Sequence, residues 1–270
     1  MDVARILSDS LRLLKAEPKA FAPRIVTTAI YSVYILAFIG VASDLASVDL
    51  TRPNAADSMR LASAAYRSFF FLALSPLLYF VDILSYAMYP RIVADHNSGS
   101  GISIRKALKD GLKAWRIVIA TEAVLFLFIL ALAVPTALAV VISLITGNIV
   151  YAVLAVILAL ALILVFAVLV FFVIPSAVLK GRTVAGSFRE SVSLGLENRW
   201  DILRINVLFL ALLAVTVVAG VYVQGNPLLT AASAAAFIIL RLLEAVVYTY
   251  LCVTNPYAYI HATVNNRREP

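Results

Sequence analysis

Apolar residues in this chain fall into long unbroken blocks, not into the two-residue alternation of a half-buried strand. Six blocks stand out, at approximately 25–43, 69–90, 117–145, 150–175, 203–223 and 228–254. Crossing about 30 Å of hydrocarbon takes roughly 20 helical residues. Runs this long read as helices, the open-ended form in which a segment satisfies its own backbone polar groups in lipid. The pattern predicts an all-α integral membrane protein of six transmembrane helices forming one polytopic domain over 1–270. Pro76 and Pro135 lie inside blocks two and three. Each removes a backbone donor and predicts a kink, and block three reads equally as two pieces broken at Pro135.

A second periodicity precedes every odd block. Apolar residues recur at near-helical spacing at Val3, Leu7, Leu11 and Leu14, then at Ile104, Leu108, Leu112 and Trp115, then at Val184, Phe188, Val192 and Leu196. The opposite faces are polar, with Arg5, Ser8, Asp9 and Arg12 in the first, Arg105, Lys106, Lys109 and Lys113 in the second, and Arg189, Glu190 and Ser193 in the third. Such helices lie in the headgroup plane with the apolar face down. Each even block then ends near a proline, at Pro90, Pro175 and Pro256. The order of surface helix, span out, span in and proline exit recurs over 1–90, 101–175 and 183–256, a threefold parallel repeat. Parallel repeats occur in transporters and also arise by duplication in scaffolds.

Charge sets the orientation. Of 22 Lys and Arg, 18 lie in segments 1–24, 90–116, 176–204 and 255–270, three in 44–68, and one, Arg241, inside a block. This is the positive-inside distribution of a cell-membrane protein with both termini cytoplasmic. The inner segments hold 18 bases against nine acids, a surplus that faces anionic lipid headgroups. With 63% apolar residues and a mean hydropathy of +0.99, an ordinary soluble fold is excluded. The same surplus is read as membrane attraction, with no nucleic-acid partner. The 24 residues before the first block are too long for the n-region of a cleaved signal, so 25–43 reads as a retained anchor. Trp115 and Trp200 sit at inner boundaries, where indoles anchor helices. Asp57 is a candidate N-cap for a second span that projects outward, and Ala231, Ala232, Ala235 and Ala236 form small-residue pairs suited to close helix approach.

Four charges fall inside the blocks: Asp82, Glu122, Arg241 and Glu244. An ionised side chain at bilayer depth costs about 2.5–3.5 kcal/mol on insertion scales and seldom faces lipid. Counted at about 1.5 Å per residue, all four reach the inner third of the membrane. They predict a polar cluster among spans two, three and six, flanked by Tyr79 and Tyr86 on span two and Tyr248 on span six, with Asn206 of span five at similar depth. Its two readings are a proton or cation relay and a clamp that holds the bundle together.

No catalytic signature, metal-ligand spacing or cofactor motif appears. Cys252 is the one cysteine, and His96 and His261 have no partner at ligand spacing. The Ser187-Phe188-Arg189-Glu190-Ser191 phrase, followed by Asn198 and the span from Leu203, resembles one repeated before spans in an uncharacterised prokaryotic multi-span membrane family. That family includes the membrane domain fused to some glycerophosphodiester phosphodiesterases. Ala107-Leu108-Lys109-Asp110-Gly111 is a degraded version of the same phrase. The resemblance implies a polytopic membrane domain. It implies no catalytic residue, since these 270 residues hold no phosphodiesterase domain.

The expected function is therefore non-enzymatic, either transporter-like or membrane-organising. The alternatives are an accessory subunit docking a soluble partner and an intramembrane lipid-modifying enzyme. The expected partners are the bilayer, anionic lipids at the inner face, a small molecule or lipid between the helices, and further copies of the chain in an oligomer.

Overall fold

The structure, a computed structural model, describes residues 1–46, 55–224 and 231–265, with side chains described over 1–41, 58–214 and 235–264. Every described element is helical: α1 (Val3–Ala16), α2 (Ala22–Ala46), α3 (Ala55–Ala87), α4 (Tyr89–Asn97), α5 (Ile104–Lys113), α6 (Trp115–Thr146), α7 (Val150–Val170), α8 (Val173–Lys180), α9 (Val184–Glu197), α10 (Arg199–Gln224) and α11 (Ala231–Asn265). A 3₁₀ turn, Pro18–Phe21, joins α1 to α2.

Five described stretches are long and apolar enough to cross a membrane: Pro18–Val41, Ser58–Asn97, Trp115–Thr146, Val150–Lys180 and Ala235–Val264. The remaining expected span corresponds to α10, a 26-residue helix whose side chains at 215–224 lie outside the described residues. Asp57 falls inside α3, not at its cap, because the helix already begins at Ala55. Its side chain, and those of Ala231 and Ala232, lie outside the described residues.

The prolines behave differently from a simple reading of them as breaks. Pro135 sits within a continuous α6. Pro76 sits within a continuous α3, and the carbonyl of Leu72 that it leaves without a helical donor accepts from Ser75 Oγ at 2.8 Å. Pro90 does follow a break, since α3 ends at Ala87. The helix restarts as α4 with Pro90 in its first turn, where a missing N–H would have been unpaired anyway. Pro175 leaves the Phe171 carbonyl without a donor, and the Asn255 side chain, arriving from α11, donates to it. Pro256 lies within an unbroken α11.

Helices pair in chain order, α2 with α3, α6 with α7 and α10 with α11. The α6–α7 turn is closed by Gly147 at φ +65°, a left-handed position that favours glycine. Neighbouring pairs meet through α3 on α6, α7 on α10 and α11 on α2. At the inner end α5 packs on α3 and α4, α9 on α7 and α8, and α1 on α11. Most of the large buried side chains gather there, with Ile6, Leu13, Tyr89, Ile92, Phe172, Ile202, Phe209, Val253 and Tyr259 in one cluster. The outer halves of α6 and α7 are exposed on nearly every side.

The three short helices dock through a face the apolar periodicity does not single out. Each begins on a side-chain cap, with Asp2, Ser103 and Thr183 accepting from the backbone N–H three residues on. The buried residues are Ile6, Ser10, Leu13 and Leu14 in α1, Ala107 and Gly111 in α5, and Ser187, Ser191, Leu194 and Gly195 in α9. Small side chains let α5 and α9 lie close on backbone, whereas α1 docks mainly through Ile6, Leu13 and Leu14. Ser191 Oγ donates to the Leu169 carbonyl at 2.7 Å and accepts from the Phe172 N–H at 3.0 Å, spanning the break between α7 and α8. The residues expected to meet lipid stay outward in part, with Leu11, Leu108, Leu112, Val192 and Leu196 exposed. Others turn inward: Leu14 is buried in the core, Val3, Leu7 and Ile104 pack against it, and Val184 and Phe188 pack against a second cluster around Val118 and Val173.

Candidate functional site

Of the charges inside the apolar blocks, Asp82 is met by Arg24, which the sequence reading had grouped with the cytoplasmic cations because it directly precedes the first apolar block. The 3₁₀ turn starts the helical path earlier, so Arg24 enters the bundle one turn into α2. Its side chain is only 10% exposed and pairs through Nη1 with Asp82 of α3. The guanidinium carbon lies 5.2 Å from the centre of the Tyr248 ring of α11, a cation–π contact. Buried Cys252 lies within the field of the same arginine. The partner of Asp82 is thus a cation of span one, not Arg241 of span six.

Arg241 pairs with Glu244 on its own helix, three residues on. Tyr248 stands one further turn along and feels Arg24, Asp82, Arg241 and Glu244 together. Glu122 of α6 lies within the field of Asp82. Tyr31 on α2, seven residues beyond Arg24, is within reach of Asp82, Tyr79 and Glu122. Tyr86 is buried near Arg24 and Cys252. Asn206 of α10 has a buried Nδ2 with no hydrogen-bond partner among the described residues, and no described contact joins it to the group. Sequence reasoning missed Arg24 and Tyr31. The signal was their spacing of seven, two turns of one helix face.

The end of the bundle that holds the short helices carries two further polar junctions. In the first, Arg91 Nη2 lies 2.9 Å from Asp95 Oδ1 and its Nε 3.6 Å from Asp110 Oδ2. Lys106 reaches Asp95 at 3.5 Å, and Lys113 reaches Asp110 at 2.7 Å. The hydrogen bond from Lys113 holds the Asp110 carboxyl below its ordinary value against partial burial, aided by Arg91 and Lys106. Two of the four basic residues expected to meet lipid are therefore engaged by acids. Arg105 and Lys109 are exposed, with no ion-pair partner among the described residues.

In the second junction Glu190 of α9 gathers α8 and α11. It accepts from Ser176 Oγ at 2.6 Å, from Lys180, and from Tyr259 OH at 3.2 Å, with Arg182 at 3.4 Å. Lys180 Nζ also lies 5.3 Å from the Tyr259 ring centre. Burial opposes the Glu190 charge, but the bonds from Lys180 and Ser176 outweigh it and hold the carboxyl below its ordinary value. Because the folded carboxyl titrates below the unfolded one, its contribution is complete above the ordinary glutamate range and is lost as acid protonates it. Glu190→Gln is expected to lower the melting temperature of the detergent-solubilised protein by roughly 2–4 °C near neutral pH. The difference should close on acidification below the glutamate range, and scanning calorimetry at both conditions reads it directly.

Among the described residues no three His, Cys, Asp or Glu side chains stand close enough to hold a metal ion. No family model, curated protein or solved structure matches the chain.

Proposed function

We propose that this protein is a six-span cell-membrane protein with both termini cytoplasmic, whose work is to organise the inner leaflet and not to catalyse a reaction. One observation carries the reading. Two of the short helices, α5 and α9, pack on the protein largely through small buried residues, while the later part of each apolar row, Leu108 and Leu112 in α5 and Val192 and Leu196 in α9, stays exposed. Exposed rows of this kind, ending in Trp115 and Trp200 on two of the three units, suit insertion among the acyl chains beneath the headgroups.

The three units 1–90, 101–175 and 183–256 would form a ring. Its support is the order of contacts, in which the second long helix of each unit meets the first of the next, and α11 meets α2 to return to the start. The ring would place one amphipathic helix on each side of the molecule, with Arg105 and Lys109 directed at anionic headgroups. On this reading the Ser187-to-Ser191 phrase is structural, since both serines are buried and Glu190 fastens α8 and α11.

Spin-labelled lipids test this in reconstituted bilayers. The chain is expected to immobilise phosphatidylglycerol several-fold over phosphatidylcholine, because each basic residue near the surface contributes about 1 kcal/mol of attraction. Arg105→Gln with Lys109→Gln should remove much of that preference. Leu108→Ser with Leu112→Ser should reduce the immobilised fraction of both lipids. Equal selection by the native chain and both variants would overturn the proposal.

A further inference from the structure

The two acids between α4 and α5 hold more cations than they need. Arg91 of α4 reaches both, with Nη2 2.9 Å from Asp95 Oδ1 and Nε 3.6 Å from Asp110 Oδ2. Lys106, 3.5 Å from Asp95, and Lys113, 2.7 Å from Asp110, are therefore second partners. They are also the outermost, at 51% and 67% exposed against 31% for Arg91. Exposed pairs of this kind are weak and screened by salt. Either lysine can turn away without stranding its acid, because Arg91 stays in place.

Winding α5 at about 3.6 residues per turn sets Arg105, Lys109, Lys113 and Lys106 side by side, all exposed. Leu108 and Leu112 border this row on one side. Asp110 borders it on the other, before the buried Ala107 and Gly111. From Arg105 to Lys113 the row is about 12 Å long, at about 1.5 Å per residue. With Arg91 included, five cations face two acids, a surplus of three positive charges. The other short helices offer no such row. In α1, Asp9 lies between Arg5 and Arg12 and pairs with both, at 3.8 and 4.0 Å. In α9 the single base is Arg189.

We infer that the cationic row of α5 binds an anionic lipid that carries two phosphates in one headgroup. One phosphate takes the Arg105 end and the other the Lys113 end, with the acyl chains passing beside Leu108 and Leu112. One phosphate alone is too short to reach both ends. Arg91 is a positioning residue: by holding both acids it releases Lys106 and Lys113 to the lipid. The inference deepens the proposed function and rests on it for placing α5 at the bilayer surface.

The test compares spin-labelled cardiolipin with spin-labelled phosphatidylglycerol in phosphatidylcholine proteoliposomes of the full chain. The native chain is expected to select cardiolipin about tenfold over phosphatidylglycerol, beyond the roughly twofold of a doubled phosphate count, because two further cations are engaged. Lys106→Gln with Lys113→Gln should bring that preference down to about twofold and leave phosphatidylglycerol selection to Arg105 and Lys109. Arg91→Gln should do the same from outside the row, because the acids then recapture both lysines. Phosphatidylglycerol selection should survive in it, which a misfolded α5 would not support. Asp110→Asn should act in the opposite direction and raise the cardiolipin preference by freeing Lys113. A native preference of twofold or less, a preference unchanged by the double lysine variant, or an unchanged or weaker one in Asp110→Asn would overturn the inference. So would equal preference for phosphatidic acid at about pH 9, where its one phosphate is doubly ionised. Phosphatidylglycerol selected over phosphatidylcholine without added preference for cardiolipin overturns this inference alone, whereas no selection of either lipid removes the lipid-organising reading with it.

Discussion

Asp82→Asn is expected to be the most damaging single substitution in the membrane interior, costing about 3–5 kcal/mol of stability. The loss does not come from the attraction of the pair itself. It comes from leaving Arg24, buried among α2, α3 and α11, without a counter-ion. The Asp82 side chain is 36% exposed, whereas that of Arg24 is 10% exposed, so the penalty falls on the arginine. Arg24→Met should be costly for the mirror reason, since it strands the carboxylate. Arg24→Met combined with Asp82→Leu should recover most of the loss, because an apolar pair of similar volume needs no compensation. Denaturation of the four proteins in one detergent gives the full cycle. If the double variant were as unstable as the sum of the singles, the two residues would not be a pair.

Gly195→Leu should follow closely, at about 3–5 kcal/mol. A Cβ on Gly195 would stand 2.5 Å from the carbonyl oxygen of Val168, and that obstacle is backbone, so it cannot swing aside. Overpacking of this kind costs about 1–3 kcal/mol. The same displacement of α9 would strip Ser191 from the Leu169 carbonyl and the Phe172 N–H, at about 1–3 kcal/mol for each buried group left unpaired. Gly40→Ala is the matched control. A Cβ there meets nothing within 4 Å, so the change should stabilise α2 by up to about 1 kcal/mol. Equal thermal stability of the Gly195 variant and the native chain would show that α9 does not rest on α7.

The short inner helices were legible in different degrees. Their existence and starts could be read, because Asp2, Ser103 and Thr183 precede clean helical periods. Their docking faces could not. Periodicity weights Leu108 and Leu112, whereas contact is made by Ala107 and Gly111, which register weakly on any hydropathy pattern. Of the expected proline exits, Pro90 and Pro175 follow the breaks after α3 and α7, whereas Pro256 lies within an unbroken α11. A proline removes one hydrogen bond, and the carbonyl it frees must find another donor. At Phe171 the replacement comes from Asn255, 84 residues away.

The chain by itself determined that it belongs in a membrane and is helical there, because unbroken apolar runs of this length have no other stable form in lipid. It also determined that ionisable groups would sit at depth, because Asp82, Glu122, Arg241 and Glu244 have no polar segment to retreat to. Which cation answers which acid was decided only by the tertiary structure. Partnership at low dielectric depends on separations of a few ångströms across helices, and the early start of α2 brings Arg24 to Asp82 while Arg241 turns to Glu244.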